Sequence, residues 1–426
     1  MKNKLSFFKL ISINSYWFGL SFLWNSLHPI VLPAILLSYV PDTSKNTYLG
    51  LLTFLGLILA MLIQPLSGSI SDRSGSRWGN RAPFIAAGTL LDVIVILFLA
   101  FTNTLTGIFI GYMALQISSN IAHGPMQAII PDMVPEKQKG LTSGIKNFMD
   151  VAGVIAASLL AASLISPAGL GSTKIFIVII VVLVITALAT IFASVKRGDN
   201  EKALHLPHNI KLKEIFKIDK HANAAFMNLI QSRFIFLLGV YGIQTFAQYY
   251  IGDVLQVENA VKATGNVMAV IAGALVISVL ITGWLIERIG PRKLMNVAML
   301  ITAVGSLILF FSQEMYTFTL VAGFIGAGMG LYLTSNWTVA VKLAPQDQAG
   351  KFMGLTNLAT AGASAVGRLE GPFIDLANRL NPGAFRGYRF MFLFSVLCSL
   401  MSFCLYNHPL KKQARNVTSS TNVMPH

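Results

Sequence analysis

Twelve apolar windows, separated mostly by short polar hairpins, take up nearly the whole of this sequence. They run from Tyr16 to Val40, Thr47 to Ile70, Pro83 to Thr102, Leu105 to Ile130, Thr142 to Ser166 and Lys174 to Val195. After a polar interval they resume at Phe234 to Val254, Ala263 to Ile286, Leu294 to Ser312, Met315 to Leu343, Lys351 to Leu376 and Arg389 to Asn407. A helix rises about 1.5 Å per residue, so windows of this length cross a hydrocarbon layer of about 30 Å. Only 12% of the 426 residues are charged, against about a quarter in soluble domains, and 54% are hydrophobic. An all-α polytopic membrane protein with twelve transmembrane helices follows, and a soluble enzyme or a nucleic-acid-binding protein does not. The net charge of +15 is spread over short clusters rather than pooled in one patch, so the lipid bilayer, not nucleic acid, is its partner. Cys398 and Cys404 lie six apart in one window, face different sides of a helix and form no disulfide framework.

Lysine and arginine gather on alternate connections. One set holds Lys2, Lys4 and Lys9, the first hairpin, Lys137 and Lys139, the central loop, the Arg288 to Lys293 hairpin, Lys342 and Lys351, and the tail from Lys411. The other set holds little beyond Lys45, Lys174, Lys262, Arg379, Arg386 and Arg389. This bias places both termini and the central loop in the cytoplasm of a cell-membrane protein. The start of the chain has no small-residue cleavage site and reads as the lead of the first span, not a signal peptide. Four regions are expected: a six-helix bundle over 1–195, a linker over 196–232, a second six-helix bundle over 233–407, and a cytoplasmic tail over 408–426. Within the linker, Lys211 to Phe216 reads either as a short amphipathic helix on an anionic leaflet or as plain solvated chain. The tail, rich in Ser, Thr and Asn, is expected to be disordered.

The first hairpin carries Gly68, Asp72, Arg73, Gly75, Arg77, Gly79, Arg81 and Pro83 between two spans. Gly75 and Gly79 suit a backbone turn, and Pro83 suits the first turn of the next helix. Gly283, Glu287, Arg288, Gly290 and Arg292 repeat the spacing 215 residues later, with Glu for Asp. A second pair agrees: Pro135, Gln138, Gly140, Gly144 and Asn147 match Pro345, Gln348, Gly350, Gly354 and Asn357 at an offset of 210. Two matched signatures at nearly one offset, six spans apart, argue for two parallel pseudo-symmetric halves.

The pattern Gly68-xxx-Asp72-Arg73-x-Gly75-x-Arg77 resembles the loop signature of the major facilitator superfamily of secondary transporters. Its continuation from Ser76 to Ile85 is similar to the sucrose-transporter-like, glycoside/proton symporter branch. So are Asn120-xxx-Gly124-Pro125-xx-Ala128-xxx-Asp132 and the segment from Arg233 to Tyr250. The resemblance implies the major facilitator fold, transport by alternating access, and a latch in which Asp72 and Glu287 hold the cytoplasmic side shut at helix N-termini. Asp72→Asn is then expected to disturb transport while leaving the protein inserted. Where proton-coupled relatives carry an acid this chain has Gln116, and where plant members carry a basic residue it has Gln127. If protons drive the protein, Asp92, Asp150 or Glu370 must take that acid's place, with or without a histidine.

Polar groups inside spans are expensive and mark the pathway by default. Asn25 and His28 stand on the first helix beside Pro29 and Pro33, His28 as either a packing or a site residue. Asp92 lies mid-span and is paired, protonated or lining water. Gln116, Asn120, His123 and Gln127 form a stripe on the fourth helix. Lys146 and Asp150 are an i,i+4 pair that neutralise each other or serve the site. Gln244 and Gln248, among aromatic rings, suit a polyhydroxylated ligand. Arg368 and Glu370 read as a structural pair near the outer end of the eleventh span.

Function follows at two depths. The chain is expected to be a secondary active transporter of a small polar solute, a sugar or glycoside, with a co-transported proton, working as a monomer. The alternative is an exporter of amphipathic compounds or drugs, and a further one a transporter-like nutrient sensor. No phosphate loop, metalloprotease helix or paired-cysteine signature is present, so neither enzyme activity, cofactor nor metal is expected.

Overall fold

The computed structural model describes residues 4–76, 78–165, 172–195, 223–345 and 349–421. Arg77, the linker segment 196–222 with its Lys211 to Phe216 stretch, and residues 346–348 lie outside the described residues. Side chains beyond 407 are not described.

All described regular elements are helical. In the first part of the chain they are α1 (Phe7–Ser26), a π-helical segment (Leu27–Val31), α2 (Leu32–Leu36), α3 (Lys45–Asp72), α4 (Ala82–Phe101), α5 (Leu105–Gln127), α6 (Ile129–Met133), α7 (Lys139–Leu164) and α8 (Ser172–Ser194). The second part holds α9 (Ala224–Asp253), α10 (Ala260–Ile289), α11 (Pro291–Phe311), α12 (Met315–Leu343), α13 (Ala349–Gly367), α14 (Glu370–Leu380) and α15 (Arg386–Thr421). Among the described residues, eleven helical stretches are long and apolar enough to cross a membrane. The eleventh sequence window is not among them, and its helix breaks between α13 and α14. There Arg368 N–H bonds back only to the Ala365 carbonyl and Leu369 N–H to Val366, which shortens each piece.

Helix boundaries follow local chemistry. Ser6 caps α1 by accepting from Lys9 N–H at 3.3 Å, and Thr104 caps α5 by accepting from Gly107 N–H at 3.1 Å. Gly79 and Gly290 turn the two repeated hairpins with φ of +87° and +85°, a region that side-chain-bearing residues avoid. Gly75, the other expected turn residue, has no positive φ. The tail is a correction: α15 continues through Thr421. Its Lys411, Lys412, Gln413, Ala414 and Arg415 are good helix formers, and extending a helix already begun requires no new nucleation.

The chain divides into two compact units, residues 1–208 with 246–272, and 209–245 with 273–426. In the first, α1 packs on α7 and α8, α4 on α5 and α8, and α3 on α5. In the second, α11 packs on α12 and α15, repeating the α4 pattern. Polar atoms join the helices: Thr190 Oγ1 accepts from Tyr16 N–H and donates to the Ser12 carbonyl, and Ser306 and Ser395 hydroxyls meet at 3.0 Å.

Residues 246–272, the end of α9 and the start of α10, complete the first unit. A Cβ on Gly265 of α10 would stand 2.3 Å from the Ser158 carbonyl of α7, so only glycine allows this approach. Pro29 and Pro33 loosen the first helix into its π segment and free backbone carbonyls. The end of α9 satisfies them. Tyr249 donates to the Pro33 carbonyl at 3.0 Å, and the Gln248 amide nitrogen, turned toward the first helix, meets the Pro29 and Ile30 carbonyls at 2.9 and 3.1 Å. Beside them Lys45, 6% exposed, pairs with Asp253 at 2.6 Å.

Candidate functional site

One face of the first helix, α1 with the π segment that follows it, brings several polar and aromatic groups of the first unit together. Trp17, Ser21, Trp24, Asn25 and His28 recur at helical spacing and meet α5 and α7. His28 Nε2 is 2.8 Å from the Tyr112 hydroxyl and its ring stacks on Trp24 with centroids 5.0 Å apart. Asn25 donates to the Ser21 carbonyl, while Ser21 Oγ reaches across to the Asp150 carbonyl at 2.7 Å. Lys146 pairs with Asp150 at 2.9 Å and places its ammonium 4.2 Å from the centre of the Trp17 ring. The His123 ring meets Trp17 edge-on at 5.3 Å. Neither Trp17 Nε1 nor His123 Nε2 has a hydrogen-bond partner among the described residues, although both atoms are buried.

The polar stripe of α5 is divided by this packing. Gln116 and Asn120 are buried inside the unit, Gln116 donating to Tyr112 Oη at 2.7 Å and Asn120 to the Gln116 carbonyl. Gln127 is exposed, and His123 alone of the four joins Trp17 and Lys146. Asp92 is fully buried on α4 and accepts from Ser118 Oγ through Oδ1, while Oδ2 has no hydrogen-bond partner among the described residues.

The first repeated motif closes on itself through Arg81. Its guanidinium pairs with Asp72 and Asp132, donates to Ser71 Oγ and reaches the Gly68 carbonyl. Arg73 lies just past the end of α3. In the second copy Glu287, Arg288 and Arg292 are exposed at the junction of α10 and α11, Arg288 lying 4.0 Å over the Trp284 ring. A Cβ on Gly283 would meet nothing within 4 Å.

The second unit holds a cluster of another kind. Arg233, 5% exposed on α9, donates from Nε to Thr360 Oγ1 at 2.9 Å and from Nη1 to Asn336 Oδ1 at 2.7 Å. Asn336 Nδ2 lies 3.5 Å from Tyr332 Oη, and Tyr332 stacks on Phe236. Further along α9, Gln244 is half-buried.

The expected pairing of Arg368 with Glu370 is not formed. Arg368 donates from Nη1 to Ser364, and neither Glu370 oxygen has a hydrogen-bond partner among the described residues. Arg368 lies in the two-residue turn between α13 and α14, and Glu370 is the first residue of α14. Cys398 is buried and Cys404 exposed, in keeping with opposite helix faces. Among the described residues no group of His, Cys, Asp or Glu could hold a metal ion.

Sequence reasoning passed over Trp17 and Trp24, because tryptophan disappears into an apolar window. Their register with Ser21, Asn25 and His28 was the available signal. It also passed over Arg233 as a site residue.

A repeated, all-helical chain with buried polar faces in both halves defines a multi-pass membrane transporter. Residues 5–367 match the profile of the Major Facilitator Superfamily, and the chain belongs to that family. An isoprimeverose transporter of Lactiplantibacillus pentosus is 25% identical over 315 residues, 71% of this chain and 64% of that protein, so the chain spans less than two thirds of that relative's length. The multi-drug resistance efflux pump PmrA of Streptococcus pneumoniae is 23% identical over 408 residues, 92% of this chain and 94% of that protein. The crystal structure of a bacterial homologue of the human lysosomal transporter Spinster superposes with a TM-score of 0.75 at 16% identity, covering 96% of this chain and 98% of that one. At that identity the likeness concerns the fold alone.

Proposed function

We propose that this transporter moves a small polar solute, a sugar or glycoside, across the cell membrane by alternating access coupled to protons, with both termini cytoplasmic. The observation that carries the reading is the α1 face, where Trp17 and Trp24 supply flat apolar surfaces beside Asn25, His28, His123, Lys146 and Asp150. A sugar ring offers C–H groups to stack and hydroxyls to bond, and the unspent nitrogens of Trp17 and His123 suit the latter. Likeness to an isoprimeverose transporter supports the same class. Among the described residues, Asp92 and Glu370 are buried carboxyl groups with oxygens left over for a proton.

Uptake of radiolabelled mono- and disaccharides into proteoliposomes, with and without an inward proton gradient, tests this. Accumulation only with the gradient supports a symporter; equilibration regardless of it replaces coupling by facilitation; absence of all sugar uptake sinks the substrate class. The second reading, export of amphipathic compounds, is favoured by the near full-length alignment with PmrA, and efflux of a lipophilic cationic dye from inverted vesicles checks it. The latch reading gives Asp72 a part in closing the cytoplasmic side. Its carboxylate holds Arg81, so Asp72→Asn is expected to lower uptake on the order of ten-fold, equivalent to about 1.4 kcal/mol, with insertion unchanged.

A further inference from the structure

Arg233 is a buried cation whose partners are both neutral. Thr360 and Asn336 take Nε and Nη1, and among the described residues no carboxylate lies within 4.0 Å of the guanidinium. Nη2 has no partner there and is not among the atoms shut off from solvent, so one edge of the fork remains open. Arg233 stands nine residues inside α9 at the head of its apolar run and is buried, where an uncompensated charge is costly.

The internal repeat shows what is missing. The 210-residue step that carries Asn147 to Asn357 carries Lys146 to Thr356 and Asp150 to Thr360. In the first unit this turn supplies a carboxylate for its own lysine. In the second unit the threonine at the carboxylate's place binds the arginine without neutralising it.

We infer that Arg233, with Asn336 and Thr360, is an oxyanion-binding site whose counter-charge comes from outside the chain, as a carboxylate or phosphoryl group. A planar guanidinium pinned by two side chains and open along one edge suits that geometry. The inference rests on the sugar reading in one respect: the group belongs to an acidic sugar, a uronate or a sugar phosphate. A free anion is the other source of the same chemistry.

The test measures thermal midpoints of the purified full-length protein against D-glucuronate, D-glucose 6-phosphate, D-glucose and inorganic phosphate. Wild type, Arg233→Lys, Arg233→Gln and Thr360→Asp are compared. For the wild type, the acidic sugars are expected to raise the midpoint at concentrations at least roughly ten-fold below D-glucose. Arg233→Gln abolishes that preference and Arg233→Lys weakens it, since the fork is lost while the charge stays. Thr360→Asp supplies an internal carboxylate, so the protein becomes more stable without ligand and loses its response to acids. That gain separates an unmet charge from a merely structural arginine, and it does not depend on Arg233 variants folding.

An equal response to phosphate and to acidic sugars supports the site and assigns it to a free anion. Identical behaviour of acidic and neutral probes in the wild type overturns the inference, as does an acid response unchanged by Thr360→Asp. Neutral sugar uptake without any anion response leaves the sugar reading standing and removes this one; an anion response without sugar uptake does the reverse.

Discussion

The two units place polar groups at matching points of the repeat and balance them differently. In the first, Lys146 and Asp150 share one face of α7, 2.9 Å apart, with Trp17 under the lysine. In the second, the matching turn of α13 carries Thr356 and Thr360, and the cation is Arg233 on another helix, held by Thr360 and Asn336. The first cluster is neutral and partly exposed, its lysine and aspartate side chains 25% and 39% accessible. The second is positive and buried. A duplicated fold thus keeps the helices in register while letting the charge of each half diverge, and the divergence is where solute chemistry can be chosen.

Removing the cation from each unit should separate the two most widely. Arg233→Met deletes two charge-assisted hydrogen bonds in a buried site and strands the Asn336 oxygen, a loss of about 3 kcal/mol. Lys146→Met deletes a half-exposed pair, a loss of about 1 kcal/mol or less. Thermal midpoints of the two variants in one detergent measure the contrast. Equal shifts would mean that Arg233 is no more deeply committed than Lys146, and the contrast between the units would collapse.

A smaller effect comes from making the first unit imitate the second. Asp150→Thr leaves Lys146 without its carboxylate, and stability should fall by about 1 kcal/mol at low ionic strength. Because Lys146 is then an unbalanced cation, added sulfate should recover part of the loss. A midpoint indifferent to sulfate would show that solvent already screens Lys146, so that burial rather than charge count distinguishes the two clusters.

These contrasts were only partly visible in the sequence. Apolar windows and the 215- and 210-residue offsets define the repeated helices, because membrane spans are selected for length and hydropathy, which are local properties. The Lys146–Asp150 pair was visible for the same reason, lying one turn apart on one helix. Arg233 was read only as the head of an apolar segment, since its partners Asn336 and Thr360 lie more than a hundred residues away. Gln248 looked available to a ligand, yet the proline-loosened carbonyls of the first helix take its amide. That use depends on how helices meet, which no single window records. Arg368 and Glu370 failed as a pair because the helix stops at Gly367 and leaves Arg368 in a turn, and the small residues before Gly367 gave no warning of the break.

The smallest predicted effect bears on what holds Lys146 apart from its carboxylate. Its ammonium sits 4.2 Å from the centre of the Trp17 ring, and an attraction of this kind contributes about 0.5–1 kcal/mol, strongest for tryptophan. Trp17→Phe keeps a smaller ring and should lower stability by about 0.5 kcal/mol through this contact, less than Asp150→Thr. Made together with Asp150→Thr, the substitution should lose more than the two single losses combined, because the ring is then the lysine's main remaining partner. Strict additivity would assign the balance of the first unit to Asp150 alone, and Trp17 would be left free to serve the solute with its whole face.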